Sequence, residues 1–275
     1  MPPELPEVET IRRQIEEYLP LKITEVYYSD VSDSLFRPEV KSFNPKGCVI
    51  KAIERKGKQM AWQLGDDQFV LTHLGMSGGW RIKREKISEK HTHVQFECID
   101  REGKKLFLGY VDPRRFGEMG FVNRKTKDEF LSRLGVELTS NEFNADYLYD
   151  SCRRYPERAI KVHLLDQKSF AGIGNYMACE ICALAGVRPT RKCGKVTRAE
   201  CEKMIEATHQ VINGQINHSG LSFSGGYKDT TGSDGGGLSS LVVFHQDKCG
   251  MCGGDTIKKI VLAQRGTYYC SRCQK

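Results

Sequence analysis

The chain has 275 residues, 39% hydrophobic and 28% charged, with a formal net charge of +7. That is enough for a full core and two domains, and the basic surplus suits a polyanionic partner. No eighteen-residue apolar run is present, which excludes a transmembrane helix, and the acidic, proline-punctuated start MPPELPEVET is unlike a signal peptide. The expectation is therefore a cytoplasmic protein with no membrane partner. Eleven cysteines without an export signal point to reduced thiols and a metal site, not to a disulfide framework.

In chain order, PELPEVETIRRQIEEYL reads as a helix with its preamble. Pro6 and Glu7 suit the first turn, and Val8, Ile11, Ile15 and Leu19 form the buried stripe. Taken alone, Glu4 and Glu7 read as simple capping residues. From Lys22 to Val122 the pattern is strand-like, with short runs at Cys48–Glu54, Gln59–Leu64 and Gln68–His73. Between His93 and Ile99 apolar residues alternate, and a turn at Asp100–Gly103 leads into Leu106–Val111, which predicts a hairpin. Strands at this spacing predict a sandwich or barrel. Leu134–Asn141 reads as a linker. Helical patterning follows at Asp146–Tyr155, Ile160–Asp166, Asn175–Ala185 and Thr197–Asn217, then a glycine-rich stretch at Gly220–Gly237.

The most specific spacing is at the C-terminus. Cys249 and Cys252, then Cys270 and Cys273, form two CxxC knuckles that supply four thiolates for one structural Zn²⁺ with no open coordination position. Ile257–Leu262 and Gly266–Tyr269 read as hairpin arms between them, with Gln264 and Arg265 at the tip. The pair Cys179/Cys182 falls inside a helical segment and reads as packing, and Cys193 and Cys201 match no common spacing.

Five strings in order, PELPEVET, His73–Gly78 (HLGMSG), Asp112–Gly117 (DPRRFG), Gly172–Asn175 (GIGN) and the terminal knuckles, resemble formamidopyrimidine-DNA glycosylase over nearly the whole chain. The resemblance implies an α+β protein. Its parts are an N-terminal helix plus β-sandwich domain (1–133), a helix–two-turn–helix domain (142–240) and a β-hairpin zinc finger (241–275). It implies a monomeric base-excision enzyme that acts on double-stranded damaged DNA, with glycosylase and AP lyase activities on formamidopyrimidine and 8-oxoguanine. An endonuclease VIII-like preference for oxidised pyrimidines and a lyase-impaired damage-binding protein stand as alternatives.

In that family the amine of an N-terminal proline attacks the sugar C1′, and the resulting iminium is an electron sink for β,δ-elimination. A neighbouring carboxylate moves protons, a role that maps to Glu4, with Glu7 behind it. This chain begins Met-Pro-Pro-Glu, one proline more than the family pattern. Pro3 is the aligned nucleophile, yet an internal proline nitrogen is an amide. Either Pro2 acts one residue out of register, both leading residues are trimmed, or the lyase step is impaired.

The resemblance also assigns Lys58 to the lesion, Arg265 to the flanking phosphate and His91 to DNA contact. Met76, Arg114 and Phe116 fill the gap left by the extruded base. Asn175, at a glycine-preceded helix start, and Lys161 would face the strand, and Tyr227, Lys228 and Asp229 sit in the loop that covers the base. Two further departures are Arg153–Glu157 where lysines are expected and knuckles one residue further apart than the family's.

Overall fold

The computed structural model describes residues 2–35, 44–223 and 225–275. Chain contacts divide it into two units: Met1–Ser132 with Ile216–Gly236, and Arg133–Gln215 with Gly237–Lys275.

The first unit opens with helix α1 (Leu5–Glu16), whose inward stripe of Val8, Ile11 and Ile15 is buried. Its strands are β1 (Leu21–Tyr28), β2 (Val49–Ile50), β3 (Ala52–Lys56), β4 (Gln59–Gln63), β5 (Phe69–His73), β6 (Gly79–Lys83), β7 (Thr92–Ile99), β8 (Lys105–Val111) and β9 (Glu118–Val122). They form a five-stranded sheet in the order β2-β1-β7-β8-β6 and a four-stranded sheet in the order β3-β4-β5-β9. Neighbours within both sheets pair antiparallel.

One core joins the two sheets. Val94, Phe96 and Cys98, the alternating face of β7, meet Leu106, Leu108 and Tyr110 from β8 and Trp62 and Val70 from the other sheet. Trp62 and Trp80 stack across it with ring centroids 4.4 Å apart. This is the expected sandwich: period-two alternation turns one face of each sheet inward. Helix α2 (Arg124–Ser132) closes the continuous part of the unit, and its one buried residue is Lys127. The glycine-rich segment 216–236 supplies Tyr227 to the same core.

An ion cluster fastens α1 to β3. The carboxylate of Glu9 accepts hydrogen bonds from Arg12 (2.9 Å), Arg13 (2.8 Å) and Arg55 (2.8 Å). Burial opposes its ionisation, but the three guanidinium hydrogen bonds outweigh that and hold its pKa at about 2, against an ordinary 4.5. A carboxyl depressed in the folded state stabilises above its unfolded pKa, here by about 3 kcal/mol, and the contribution is lost as pH falls towards the folded value. Acid titration of stability should therefore show a loss of this size between about pH 4.5 and about pH 2. Glu9→Gln should remove that part of the slope; an unchanged slope in urea melts across this range would refute the assignment.

The second unit holds α3 (Ala145–Arg154), α4 (Ile160–Leu164), α5 (Asn175–Leu184) and all but the last two residues of α6 (Arg198–Asn217). The stretch read as a linker carries β10 (Val136–Glu137), which pairs parallel with β11 (Phe170–Ala171). Helix α5 is buried on nearly every side, including Cys179 and Cys182, in keeping with a packing role. Glu180 on α5 accepts the backbone N–H groups of Val242, Val243 and Phe244 at 2.6–2.9 Å, which fixes the chain entering the finger. The finger is the hairpin β12 (Ile257–Leu262) and β13 (Arg265–Cys270), so Arg265 opens the second arm and the tip is Ala263-Gln264. Both tip residues have positive φ, +49° and +60°, a backbone state that two-residue hairpins require and side chains other than Gly, Asn or Asp rarely adopt.

Candidate functional site

In the first unit the N-terminal segment is fixed by one carboxylate. Glu7, fully enclosed, accepts the N–H of Glu4 at 2.8 Å on Oε2 and the N–H of Leu221 at 2.9 Å on Oε1. Glu4 is completely buried beside it, Pro3 is buried and Pro2 is half-buried. Lys58 is half-buried on the two-residue turn between β3 and β4, where Gly57 takes φ +57°.

Met76, Arg114 and Phe116 lie on two loops that are built against each other. A Cβ at Gly75 would stand 2.3 Å from the Phe116 carbonyl carbon, so only glycine permits this approach. Asp112, fully buried, ties the loops together. Its Oδ1 accepts the Ser77 hydroxyl (2.7 Å) and the Arg114 N–H (3.2 Å), while Oδ2 accepts the Gly117 N–H (2.8 Å). The result is an exposed pair: Phe116 is 54% exposed, and the Arg114 guanidinium lies 4.8 Å from its ring centroid. Met76 is half-buried on the partner loop.

His91 is exposed at φ +68°, and its carbonyl accepts the Asp112 N–H, which puts it at the base of the same loops. His93 is buried, with Nδ1 at 3.0 Å from Ser29 Oγ and Nε2 at 3.0 Å from the Asp112 carbonyl. A carbonyl only accepts, so Nε2 carries the proton and both ring nitrogens are engaged. That leaves the two histidines no shared metal role.

Of the three loop residues expected to read the base, Tyr227, Lys228 and Asp229, Lys228 alone is exposed. Tyr227 is buried among core side chains, where burial first, then the Glu7 and Asp229 carboxylates, push its phenol far above the usual range. Asp229 is buried as well. It accepts Thr231 and Ser233 N–H groups on Oδ1 and the Gln14 amide on Oδ2, and so frames the loop against α1. Arg81 of β6 donates to the Asp229 carbonyl at 3.1 Å.

In the second unit, Asn175 begins α5 after the Gly172–Gly174 turn, which the Gln167 side chain brackets by accepting from Gly172 N–H (3.0 Å) and donating to the Ile173 carbonyl (2.7 Å). The Asn175 side chain faces two ways. Its Oδ1 accepts the Lys161 ammonium at 2.6 Å, and its amide donates to the Gly266 carbonyl at 2.9 Å. Lys161, expected to face a DNA strand, is completely buried: a cation this deep needs a partner, and Asn175 provides it. Together the two residues hold the hairpin at the residue next to Arg265, which itself is exposed.

The four finger thiols converge, with Sγ atoms within 4.8 Å of one another; Cys249–Cys273 and Cys252–Cys270 are 4.0 and 3.9 Å apart. Tetrahedral zinc with Zn–S near 2.3 Å needs sulfurs about 3.8 Å apart, so the donor set and spacing fit one structural Zn²⁺. Gly253, at φ +69°, makes a turn that closes on Cys249.

Asp112, Ser77 and Gln167 were not singled out from sequence. The signal for Asp112 is its place at the head of DPRRFG and that for Ser77 its place in HLGMSG; Gln167 carries none.

Three family models match successive stretches: the formamidopyrimidine-DNA glycosylase N-terminal domain over residues 1–119, the H2TH domain of that enzyme over 134–225, and a zinc finger found in FPG and IleRS over 246–275. Sandwich, helix–two-turn–helix and finger in this order define a class, the DNA glycosylases of base-excision repair. The formamidopyrimidine-DNA glycosylase of Proteus mirabilis is 34% identical over 278 residues, covering 99% of this chain and 97% of that protein. Among solved structures, wild-type Lactococcus lactis Fpg in complex with N7-benzyl-Fapy-dG DNA superposes with TM-score 0.85 at 29% identity, covering 99% and 100%. The same enzyme with oxidised-pyrimidine DNA gives 0.84 at 29%, with the same coverage. The chain belongs to the formamidopyrimidine-DNA glycosylase family.

Proposed function

We propose that this glycosylase is bifunctional, excising formamidopyrimidine and 8-oxoguanine from duplex DNA and then cleaving the strand as an AP lyase. The observation that carries the reading is the immobilised carboxylate pair at the N-terminus, with Glu4 buried beside the leading prolines and its N–H held by Glu7. The nucleophile is the amine of Pro2 after removal of Met1, because Pro2 is partly exposed whereas Pro3 is buried and its nitrogen is an amide. An α-amino group titrates near 8, so a useful fraction is free base at neutral pH.

The amine forms a bond to C1′ as the damaged base departs with a proton, and ring opening leaves an iminium. Loss of a C2′ proton expels the 3′ phosphate, a second elimination expels the 5′ phosphate, and water then releases the amine. Glu4 moves the protons. Arg265, set by the Asn175–Gly266 bond, binds the flanking phosphate, and Lys58 approaches the lesion. Met76, Arg114 and Phe116 occupy the gap, with His91 on the backbone beside them. Lys228, the exposed one of the three candidate readers, meets the flipped base. The protein acts as a monomer in the compartment that holds the DNA.

A second reading, wider acceptance of oxidised pyrimidines, draws on the L. lactis relative solved with such DNA. Paired cleavage assays on 8-oxoguanine and thymine glycol duplexes separate the two.

Borohydride trapping tests the mechanism. The expected product is a covalent adduct mapped by mass spectrometry to Pro2, with Glu4→Gln lowering lyase turnover by about 10²- to 10⁴-fold and lesion binding kept within a few-fold. Tight lesion binding with no adduct would instead mark a damage-binding protein. An adduct on Pro3 would replace Pro2 as the nucleophile.

A further inference from the structure

Outside the finger, the described residues hold one other cluster of metal-ligating side chains. Cys152 on α3, His163 on α4 and Cys193 on the 3₁₀ turn Cys193–Lys195 bring their ligand atoms within 4.8 Å of one another, all fully buried. A fourth buried thiol, Cys201 in the first turn of α6, lies beside Cys152 but outside that mutual 4.8 Å set. The four come from four separate elements and lie far apart in sequence, which is why no spacing rule finds them.

Packing alone accounts for buried thiols, which behave as small apolar groups. It does not account for the imidazole. His163 has Nε2 at 2.9 Å from Ser151 Oγ, while Nδ1, also buried, has no hydrogen-bond partner. An orphaned buried acceptor costs about 1–3 kcal/mol, and native structures rarely leave one without a reason. A ligating histidine shows this division of labour: one nitrogen on the metal, the other N–H tied to a neighbouring acceptor. Here Ser151 takes the second role.

The donor set also fits. Three thiolates and one imidazole match a closed tetrahedral site, in which sulfurs stand about 3.8 Å apart; the Cys152, His163 and Cys193 ligand atoms already lie within 4.8 Å of one another, and Cys201 Sγ turns in to complete the set. Three thiolates on a divalent ion leave one net negative charge. Arg153 meets it: its guanidinium donates to the Gly194 and Val196 carbonyls, on the turn that carries Cys193.

We propose that Cys152, His163, Cys193 and Cys201 form a second, buried structural metal site, selective for a thiolate-preferring divalent ion such as zinc. A metal there clamps α3, α4, the 3₁₀ turn and the start of α6 to one point, and it stabilises the helical unit independently of the finger.

Anaerobic zinc titration of the reduced, metal-stripped full chain decides this. Two tight equivalents are expected in the wild type and one each in Cys193→Ser and Cys270→Ser, with the Cys193→Ser protein keeping the finger's ion. Cobalt loading should show two distinct d–d envelopes, one for four sulfurs and one for three sulfurs and a nitrogen. Because a core substitution can itself block folding, wild-type stoichiometry and the cobalt spectrum stand as independent readouts. A single equivalent in the wild type, two equivalents retained by Cys193→Ser, or a disulfide among these thiols in protein purified without reductant would overturn the proposal.

Discussion

Replacing Asp112 with alanine is expected to destabilise the first unit by about 4 kcal/mol, because the lost acceptor is buried and charged and served several donors. Its carboxylate accepts from Ser77 on one loop and from the Arg114 and Gly117 N–H groups on the other, beside one direct bond from the Arg114 N–H to Ser77 Oγ at 3.2 Å. Without it, the Gly117 N–H faces a cavity, the Arg114 N–H keeps only Ser77 Oγ, and Met76, Arg114 and Phe116 lose their fixed spacing. Affinity for a lesion duplex should fall at least about tenfold, equivalent to 1.4 kcal/mol of lost preorganisation. Asp112→Asn keeps the shape but turns one acceptor into a donor, so it should lie between wild type and alanine. Urea melts and gel-shift titrations read both effects. Normal affinity alongside reduced stability would mean that the glycine contact at Gly75 suffices to hold the loops.

Stripping zinc from the finger should have the larger effect on DNA binding. Hairpin β12–β13 buries few side chains, Thr267, Tyr268 and Cys270 among them, so it has no core of its own. Structural zinc in small fingers supplies about 10 kcal/mol or more of apparent folding free energy, and without it the arms should unfold. Arg265 then loses the position that Asn175 and Lys161 give it. Cys270→Ser is expected to weaken lesion-duplex binding by at least about a hundredfold and to flatten the dependence of log K on log salt by about one for each lost phosphate contact. A finger variant with an unchanged salt slope would remove Arg265 from the phosphate-binding residues.

Much of this architecture was legible in the residues. The hairpin β7–β8 followed from clean alternation, and the four helices of the second unit from their apolar stripes, each within a residue or two. Less legible were β6, β9 and α2. In β6 Arg81 lies on the face opposite Trp80 and Ile82, and it is buried there because Glu89 and the carbonyls of Trp80 and Asp229 receive its guanidinium. Strand β9 carries a glycine at its centre, and α2 has no apolar stripe. The finger's ligands were readable because knuckles are local. Asp112, Gln167 and the Cys152–His163 cluster were not, because their partners are brought together only by the fold. Lys161 shows the opposite difficulty: a lysine in a DNA-binding segment reads as a phosphate contact until its burial is known.

Glu7 carries a further consequence. One carboxylate holds both the Glu4 N–H and the Leu221 N–H, so the loop that starts at Leu221 and the segment that presents the leading prolines share an anchor. Thermodynamic linkage is reciprocal. Whatever a ligand does to favour one arrangement of the loop must bias the proline segment by the same free energy, and the converse holds as well. In the proposed mechanism, recognition of a base by the loop and readiness of the amine are thus coupled through Glu7.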